Sequence, residues 1–206
     1  MQELQEALRA LGWNEQLQAE AAAAAADTVA RVAAVDRDRL LLLDAGGSFP
    51  AKLAGRFRYR HPLPEDMPCV GDWVCLERPP GSDFALVLGR LGRRTCLGRR
   101  GAGKTVDRQL IAANVDVVFI VQSCHFDFNP RRLERYLVMV MDGGAEARIL
   151  LTKSDLVPPE TLASQLETVR AAGIAAPLAT LSNLTGEGLE PLRQSLVPGK
   201  TYCFVG

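Results

Sequence analysis

The chain has 206 residues, 48% of them apolar and 23% charged, and its formal net charge is zero. That length holds one large or two small domains, and no apolar run reaches the roughly 18 residues that cross a bilayer. Five scattered cysteines, none in a C-x-x-C pair, argue against a disulfide framework or a zinc knuckle, and the N-terminus has neither a basic leader nor an apolar core, so a reducing cytoplasm is expected.

Residues 1–27 read as a helical segment. Leu4, Leu8 and Leu11 recur at helical spacing and an alanine run fills 21–26, so one helix is expected over 3–26, interrupted at Asp27 and Thr28. From Val29 the pattern changes to short strands: "VARVAAV", "RLLLLDA", "FPAKLAG", "VGDWVCLE" and "FALVLGRL". Turn residues separate them, as in a small OB-type β-barrel spanning 28–92. Within it, "RFRYR" at 56–60 alternates arginine with Phe57 and Tyr59. Read as a strand, it puts Arg56, Arg58 and Arg60 on one face and two aromatics on the other, a surface suited to single-stranded RNA.

Residues 28–110 hold 15 Lys/Arg against 9 Asp/Glu, and the remainder holds 9 against 15. A basic half beside an acidic half points to a polyanion partner for the first. The charge peaks in "RLGRRTCLGRRGAGKTVDR", residues 90–108. Glycines punctuate this stretch without periodicity, and 93–112 reads as a flexible basic connector. Arg93, Arg94, Arg99, Arg100 and Lys104 are its candidate RNA contacts, beside Arg56 and Arg58 of the barrel.

Inside the connector, "GRRGAGKT" (Gly98–Thr105) spells G-x-x-x-x-G-K-S/T, the loop that wraps phosphates in backbone N–H groups. The context argues against that role. A working loop follows a buried strand, and "RLGRRTCL" before Gly98 carries three arginines. Only about nine residues then separate Thr105 from the next strand, where a crossover needs ten or more. No D-x-x-G lies between Thr105 and Thr152 to hold magnesium.

After Ala113 the pattern becomes β-α-β-α-β-α-β. "NVDVVFIVQS" is a buried strand. "NPRRLERYLVMVMDGG" is a helix capped by Asn129 with Pro130 first. Its apolar stripe is Leu133, Tyr136, Leu137, Val140 and Met141. "ARILLT" is a strand, and "PPETLASQLETVRAAG" is a helix stopped at Gly173. "APLATLS" is a strand, "GEGLEPLRQSL" a short helix and "TYCFVG" a last strand. This order implies a mostly parallel sheet covered by helices, with ligands at the carboxyl ends of its strands.

The chemistry sits in "ILLTKSDL". A buried strand runs into Thr152-Lys153-Ser154-Asp155, the T-K-x-D variant of the N-K-x-D element that reads guanine. Guanine presents a ring N–H and an amine side by side. One carboxylate, Asp155, can accept both hydrogens, whereas adenine offers no such pair. The aliphatic stem of Lys153 would cover the base. In the next βα loop, "LSNLTGEGL" places Ser182, Gly186 and Gly188 where S-A-x-x-G-x-G is expected, with Asn183 replacing the usual alanine. The guanine-reading elements precede the apolar strand "KTYCFVG", which closes on Gly206 as a strand entering a phosphate loop does. The order is that of a circular permutation.

These segments, with "LGW", "VGDWV", "IAANVDVVFIV" and "DFNPRRLERYL", resemble the ribosome small-subunit-dependent GTPase A family over essentially the whole chain. The resemblance implies an N-terminal OB-type barrel followed by a partial, circularly permuted P-loop GTPase domain over 113–206. It implies a cytoplasmic, monomeric, non-membrane factor that binds GTP or GDP and acts with the small ribosomal subunit and its rRNA in late maturation. It further implies Mg2+ in the complete protein and Zn2+ in a C-terminal domain beyond Gly206. Thr152, Lys153, Ser154, Asp155, Ser182, Asn183 and Gly206 are the expected nucleotide-binding residues. No residue is assigned to catalysis or to a metal, and these residues alone are expected not to hydrolyse GTP. Two other readings stand beside this one: an RNA-binding module without nucleotide chemistry, and a conventional ATPase using Gly98–Thr105.

Overall fold

The computed structural model describes residues 2–26, 28–100 and 108–206, without the side chains of Gln2, Leu4, Arg100 and Arg108. Asp27 and Lys104, with the rest of 101–107, lie outside the described residues. The chain forms two compact units: Met1–Val115 with Gly199–Thr201, and Asp116–Pro198 with Tyr202–Gly206.

The first unit opens with two helices rather than one, α1 (Gln2–Ala10) and α2 (Glu15–Ala23). Gly12 takes a left-handed φ of 91°, and Asn14 caps the second helix by accepting from Leu17 N at 3.0 Å. Helical spacing across the break hid it from the sequence. Five strands follow: β1 (Val29–Asp36), β2 (Arg39–Asp44), β3 (Gly47–Leu53), β4 (Trp73–Glu77) and β5 (Ala85–Arg90). They close as a barrel in the order β1-β2-β3-β5-β4, with β3 parallel to β5 and the other pairs antiparallel. Closure removes the exposed edges that five short strands would otherwise carry.

Alternation fills the barrel. Val32, Leu42, Val74 and Val87 are at most 1% exposed and pack with Ala30, Leu40, Ala51, Leu76 and Ala85. Each fully buried Val or Leu contributes about 1.5–3 kcal/mol. A second cluster joins the N-terminal helices to the barrel wall. Leu17, Ala21, Trp73, Cys75 and Leu91 are its core, and Trp13 meets Trp73 edge-on at 4.7 Å.

Two expectations are corrected in this unit. "RFRYR" is not a strand but a helix, α3 (Gly55–Arg60). Phe57 is buried and packs against the tilted His61 ring, whereas Tyr59 is 89% exposed. The barrel wall accepts one aromatic from this segment, and the two-faced strand would have required two. The described parts of the basic connector are not irregular: β6 (Cys96–Arg100) and β7 (Arg108–Ala113) pair antiparallel. Gly98 therefore lies within a strand, where Leu110 is its partner, and not at the end of a parallel strand as a phosphate loop requires.

The second unit is the parallel layer. Strands β8 (Val117–Ser123), β9 (Glu146–Thr152), β10 (Leu178–Leu181) and β11 (Tyr202–Val205) are ordered β10-β9-β8-β11. All three pairings are parallel. Helices α4 (Pro130–Asp142), α5 (Pro159–Ala171) and α6 (Leu189–Gln194) connect them. Leu133 and Val140 of α4 and Val169 of α5 are buried, together with Val118, Ile120, Ile149 and Leu151 of the strands. Met141, expected in the buried stripe of α4, is 73% exposed. On the sheet's other face, Val117, Phe119, Leu150 and Leu181 pack with Leu189 and Leu192 at the α6 end.

Candidate guanine-nucleotide site

Register brings the candidate residues to one edge of the sheet. Ser123 of β8 is level with Thr152 of β9, and Thr152 with Leu181 of β10. On the far side of β8, Val205 of β11 is level with Ile120. Thr152–Asp155, Ser182 and Gly206 therefore all follow the carboxyl ends of neighbouring parallel strands, the place where such sheets hold ligands.

The turn after β9 has a defined shape. Lys153 adopts φ 59° and ψ 37°, a left-handed conformation, and Ser154–Leu156 form a single 3-10 turn. The chain thus reverses within one residue of the strand end and leaves Lys153 and Asp155 exposed. The Asp155 carboxylate makes no hydrogen bond or ion pair among the described residues, so both oxygens are free to accept. That suits a base with two adjacent donors. Ser154 differs from expectation: it is 7% exposed and its Oγ is buried without a partner. Its side chain is turned into the protein and does not sit on the open face.

The strand end is braced from β8. Cys124 N donates to Thr152 O at 2.8 Å, and Thr152 Oγ1 approaches Gln122 O at 3.4 Å. Gln165 of α5 donates through Nε2 to Cys124 O at 2.8 Å. Sequence reading missed Gln122, Cys124 and Gln165, whose roles depend on strand register and carry no motif. Asp127, in the loop after β8, pairs with Arg132 at 2.8 Å. The Arg132 hydrogen bond holds the Asp127 carboxyl below its usual range, and Lys153 adds to that attraction.

The loop after β10 is fixed by Ser182, which is fully buried. Its Oγ accepts from Leu184 N at 3.2 Å and Thr185 N at 3.1 Å. Its backbone N donates to Glu187 O at 3.0 Å, and Gly186 N donates to Ser182 O at 3.0 Å. Ser182 therefore shapes the loop, while Asn183 beside it is exposed. Gly188 closes the loop at φ 75°, where a Cβ would stand 2.2 Å from Thr180 O. A Cβ on Gly206 would stand 2.3 Å from Val121 O.

The candidate RNA-contacting arginines fare unequally. Arg56 is exposed, and Arg58 pairs with Asp38. Arg93 is withdrawn from the surface: its guanidinium is held by Asp72 and by Glu65 O and Met67 O. Burial works to lower its pKa, but the hydrogen bonds and charge of Asp72 outweigh that and raise it. Arg94 is exposed, and its backbone N donates to Asn114 Oδ1 at 2.9 Å. Arg99 Nε donates to Gln109 across the hairpin. Arg100 lies in β6, and Lys104 falls in the segment outside the described residues.

An OB-type barrel followed by a parallel sheet, with the Thr152–Asp155 and Ser182–Gly188 turns ahead of β11, defines the fold of a circularly permuted GTPase. Residues 90–206 match the family model described as RsgA GTPase. The chain belongs to the RsgA GTPase family. It is 38% identical over 176 residues to small ribosomal subunit biogenesis GTPase RsgA 2 of Lactiplantibacillus plantarum, covering 85% of this chain and 49% of that protein. The crystal structure of YjeQ from Thermotoga maritima shares the fold with a TM-score of 0.67 at 23% identity, over 86% of this chain and 59% of that one. YloQ, described as a circularly permuted GTPase, does so with a TM-score of 0.59 at 21% identity, over 86% of this chain and 59% of that one. The chain spans about half the length of the curated relatives it matches.

Proposed function

We propose that this chain supplies the guanine-reading and RNA-docking parts of a GTP-hydrolysing factor that acts in late maturation of the small ribosomal subunit. The reading rests on one observation. The unpartnered Asp155 carboxylate, the left-handed Lys153 and the Ser182 loop share the carboxyl edge of one parallel sheet. The relatives' names supply the setting, small ribosomal subunit biogenesis.

In this reading Asp155 accepts the two guanine donors and the Lys153 stem covers the base. Thr152 and Ser154 hold the turn, and the backbone at Ser182 and Asn183 closes over the guanine oxygen. Gly206 lets backbone approach at the end of β11. Bound GTP supplies the phosphoanhydride to be hydrolysed. None of the described residues is assigned to that step, and these 206 residues alone are proposed to bind nucleotide without turning it over. Mg2+ in the complete protein and Zn2+ in its C-terminal domain are part of the proposal only by resemblance, and among the described residues no group of three or more His, Cys, Asp or Glu could hold a metal. No step is therefore routed through either ion.

The barrel, with Arg56 and Arg58 on α3 and Arg94, Arg99 and Arg100 on or beside the β6–β7 hairpin, is proposed to contact rRNA. A cytoplasmic monomer is proposed, and among the described residues no helix is long and apolar enough to cross a membrane. The test is a titration of the chain with GDP and ADP, followed by amide chemical shifts. Shifts confined to 152–155 and 182–188 with GDP alone are expected, and equal response to both nucleotides overturns the reading.

A further inference from the structure

The barrel carries a concave site whose chemistry differs from that of the sheet edge. A groove of about 750 Å³ runs between α3, the end of β4 and the end of β5. That volume is within the range of small-ligand sites. Four arginines line it, Arg56, Arg60, Arg78 and Arg90, against one carboxylate, Glu77.

The four come from α3, the residue after β4 and the end of β5. Arg56 and Arg60 are four apart on α3 and so project from one face of it. The buried Phe57 anchors that helix to the barrel. Neither Arg56 nor Arg60 has an ion-pair partner among the described residues. Arg78 lies over the Phe49 ring at 3.9 Å and pairs with Asp44 at 2.6 Å, which fixes its guanidinium in place. Arg90 donates through Nη1 to Leu91 O at 3.0 Å, while its Nε is buried with no acceptor. A buried guanidinium N–H without an acceptor is rare, because it gives up water without replacing it. Rigid forks flanked by exposed, unpaired ones suit a planar or tetrahedral oxyanion.

We propose that this groove binds a backbone phosphate of a single-stranded RNA segment, with Arg90 and Arg78 as the fixed donors and Arg56 and Arg60 closing from α3. The inference deepens the RNA-docking part of the proposed function and rests on it. It also places the contact on a pocket that the linear motif around 56–60 does not show, because Arg78 and Arg90 are distant in sequence.

The test measures binding of the full chain to a fluorescein-labelled single-stranded RNA across a salt series. The variants are Arg56→Ala/Arg60→Ala, Arg90→Lys, and a charge-matched control outside the groove, Arg37→Ala/Arg39→Ala. Thermal melts check that each is folded. The groove variants are expected to lose affinity about 10-fold or more at moderate salt. The slope of log K against log[salt] should flatten by about 0.7 for each phosphate no longer neutralised. The control should change affinity less than 3-fold.

Absence of RNA binding by the parent chain overturns the RNA-docking reading and this site with it. RNA binding that all variants retain, or that the control loses equally, overturns the groove alone. Inorganic pyrophosphate titrated in parallel distinguishes the other source of the same chemistry. Micromolar pyrophosphate binding that the groove variants abolish, with RNA affinity unchanged, makes this a small-anion site and overturns the assignment to RNA.

Discussion

The Asp72 carboxylate, fully buried, holds the Arg93 guanidinium through Oδ1 at 2.9 Å and Oδ2 at 2.7 Å. Asp72 also accepts from Cys69 N at 2.8 Å. Arg93 directly precedes the β6–β7 hairpin, so the pair fastens the basic hairpin to the barrel. Removing one partner of a buried pair strands the other charge, at a cost of about 3–5 kcal/mol. Asp72→Ala should therefore lower the melting temperature far more than Arg58→Ala, whose pair with Asp38 is exposed. Calorimetry of the two variants checks this.

Cys69 lies against that pair. Burial, aided by the Asp72 charge, pushes its thiol up to about 12. A group whose folded pKa is raised stabilises the fold fully below its unfolded value and loses that contribution as pH rises toward the folded value. Denaturant midpoints should fall between about pH 9 and 12, and Cys69→Ser should reduce that fall. At pH 8, iodoacetamide should spare Cys69 in the folded chain and modify it after unfolding.

Asp155→Asn replaces an acceptor pair with one acceptor and one donor, leaving one guanine hydrogen opposed by another. A hydrogen bond to a charged group is worth about 1.5–3 kcal/mol, so GDP affinity should drop roughly 10- to 100-fold. The preference over ADP should vanish, and the melting temperature should hold because Asp155 is exposed. Competition with a fluorescent guanine nucleotide reads the first two effects.

Gly186 and Gly188 share left-handed backbone, at φ 80° and 75°, but not space. A Cβ on Gly186 meets nothing within 4 Å, whereas one on Gly188 would stand 2.2 Å from Thr180 O. Gly186→Ala should cost about 1–2 kcal/mol from conformation alone. Gly188→Ala adds the overlap and should reach about 2–4 kcal/mol. Urea denaturation followed by circular dichroism separates the two.

The barrel strands and the parallel layer were legible because burial imposed clean periods on them. Val32, Leu42 and Val74 alternate into the barrel, and Val117–Ile120 form an unbroken buried run. The placement of the candidate residues was legible because Thr152 ends a strand and Asp155 follows at fixed spacing. What stayed hidden depended on single contacts between distant residues. "RFRYR" satisfies a two-residue period and a helical one equally, and only the barrel's acceptance of Phe57 alone decides for the helix. The β6–β7 hairpin is rich in arginine and glycine, and its order rests on cross-strand pairing and on Asp72, 21 residues from Arg93. Arg93 itself looked like an RNA contact because its buried partner lies on another segment.

Strand β11 pairs with β8, placing Tyr202 beside Val117. Every other strand pair in that sheet joins neighbours in the sequence. Closing this one contact must gather the whole intervening βα array first, so it carries the longest loop entropy in the unit. Refolding should therefore protect the amides of β8 and β9 from exchange before those of β11. The strand that leads toward Gly206 is then the last to dock, and the edge formed by Thr152–Asp155 and Ser182 is assembled before it arrives.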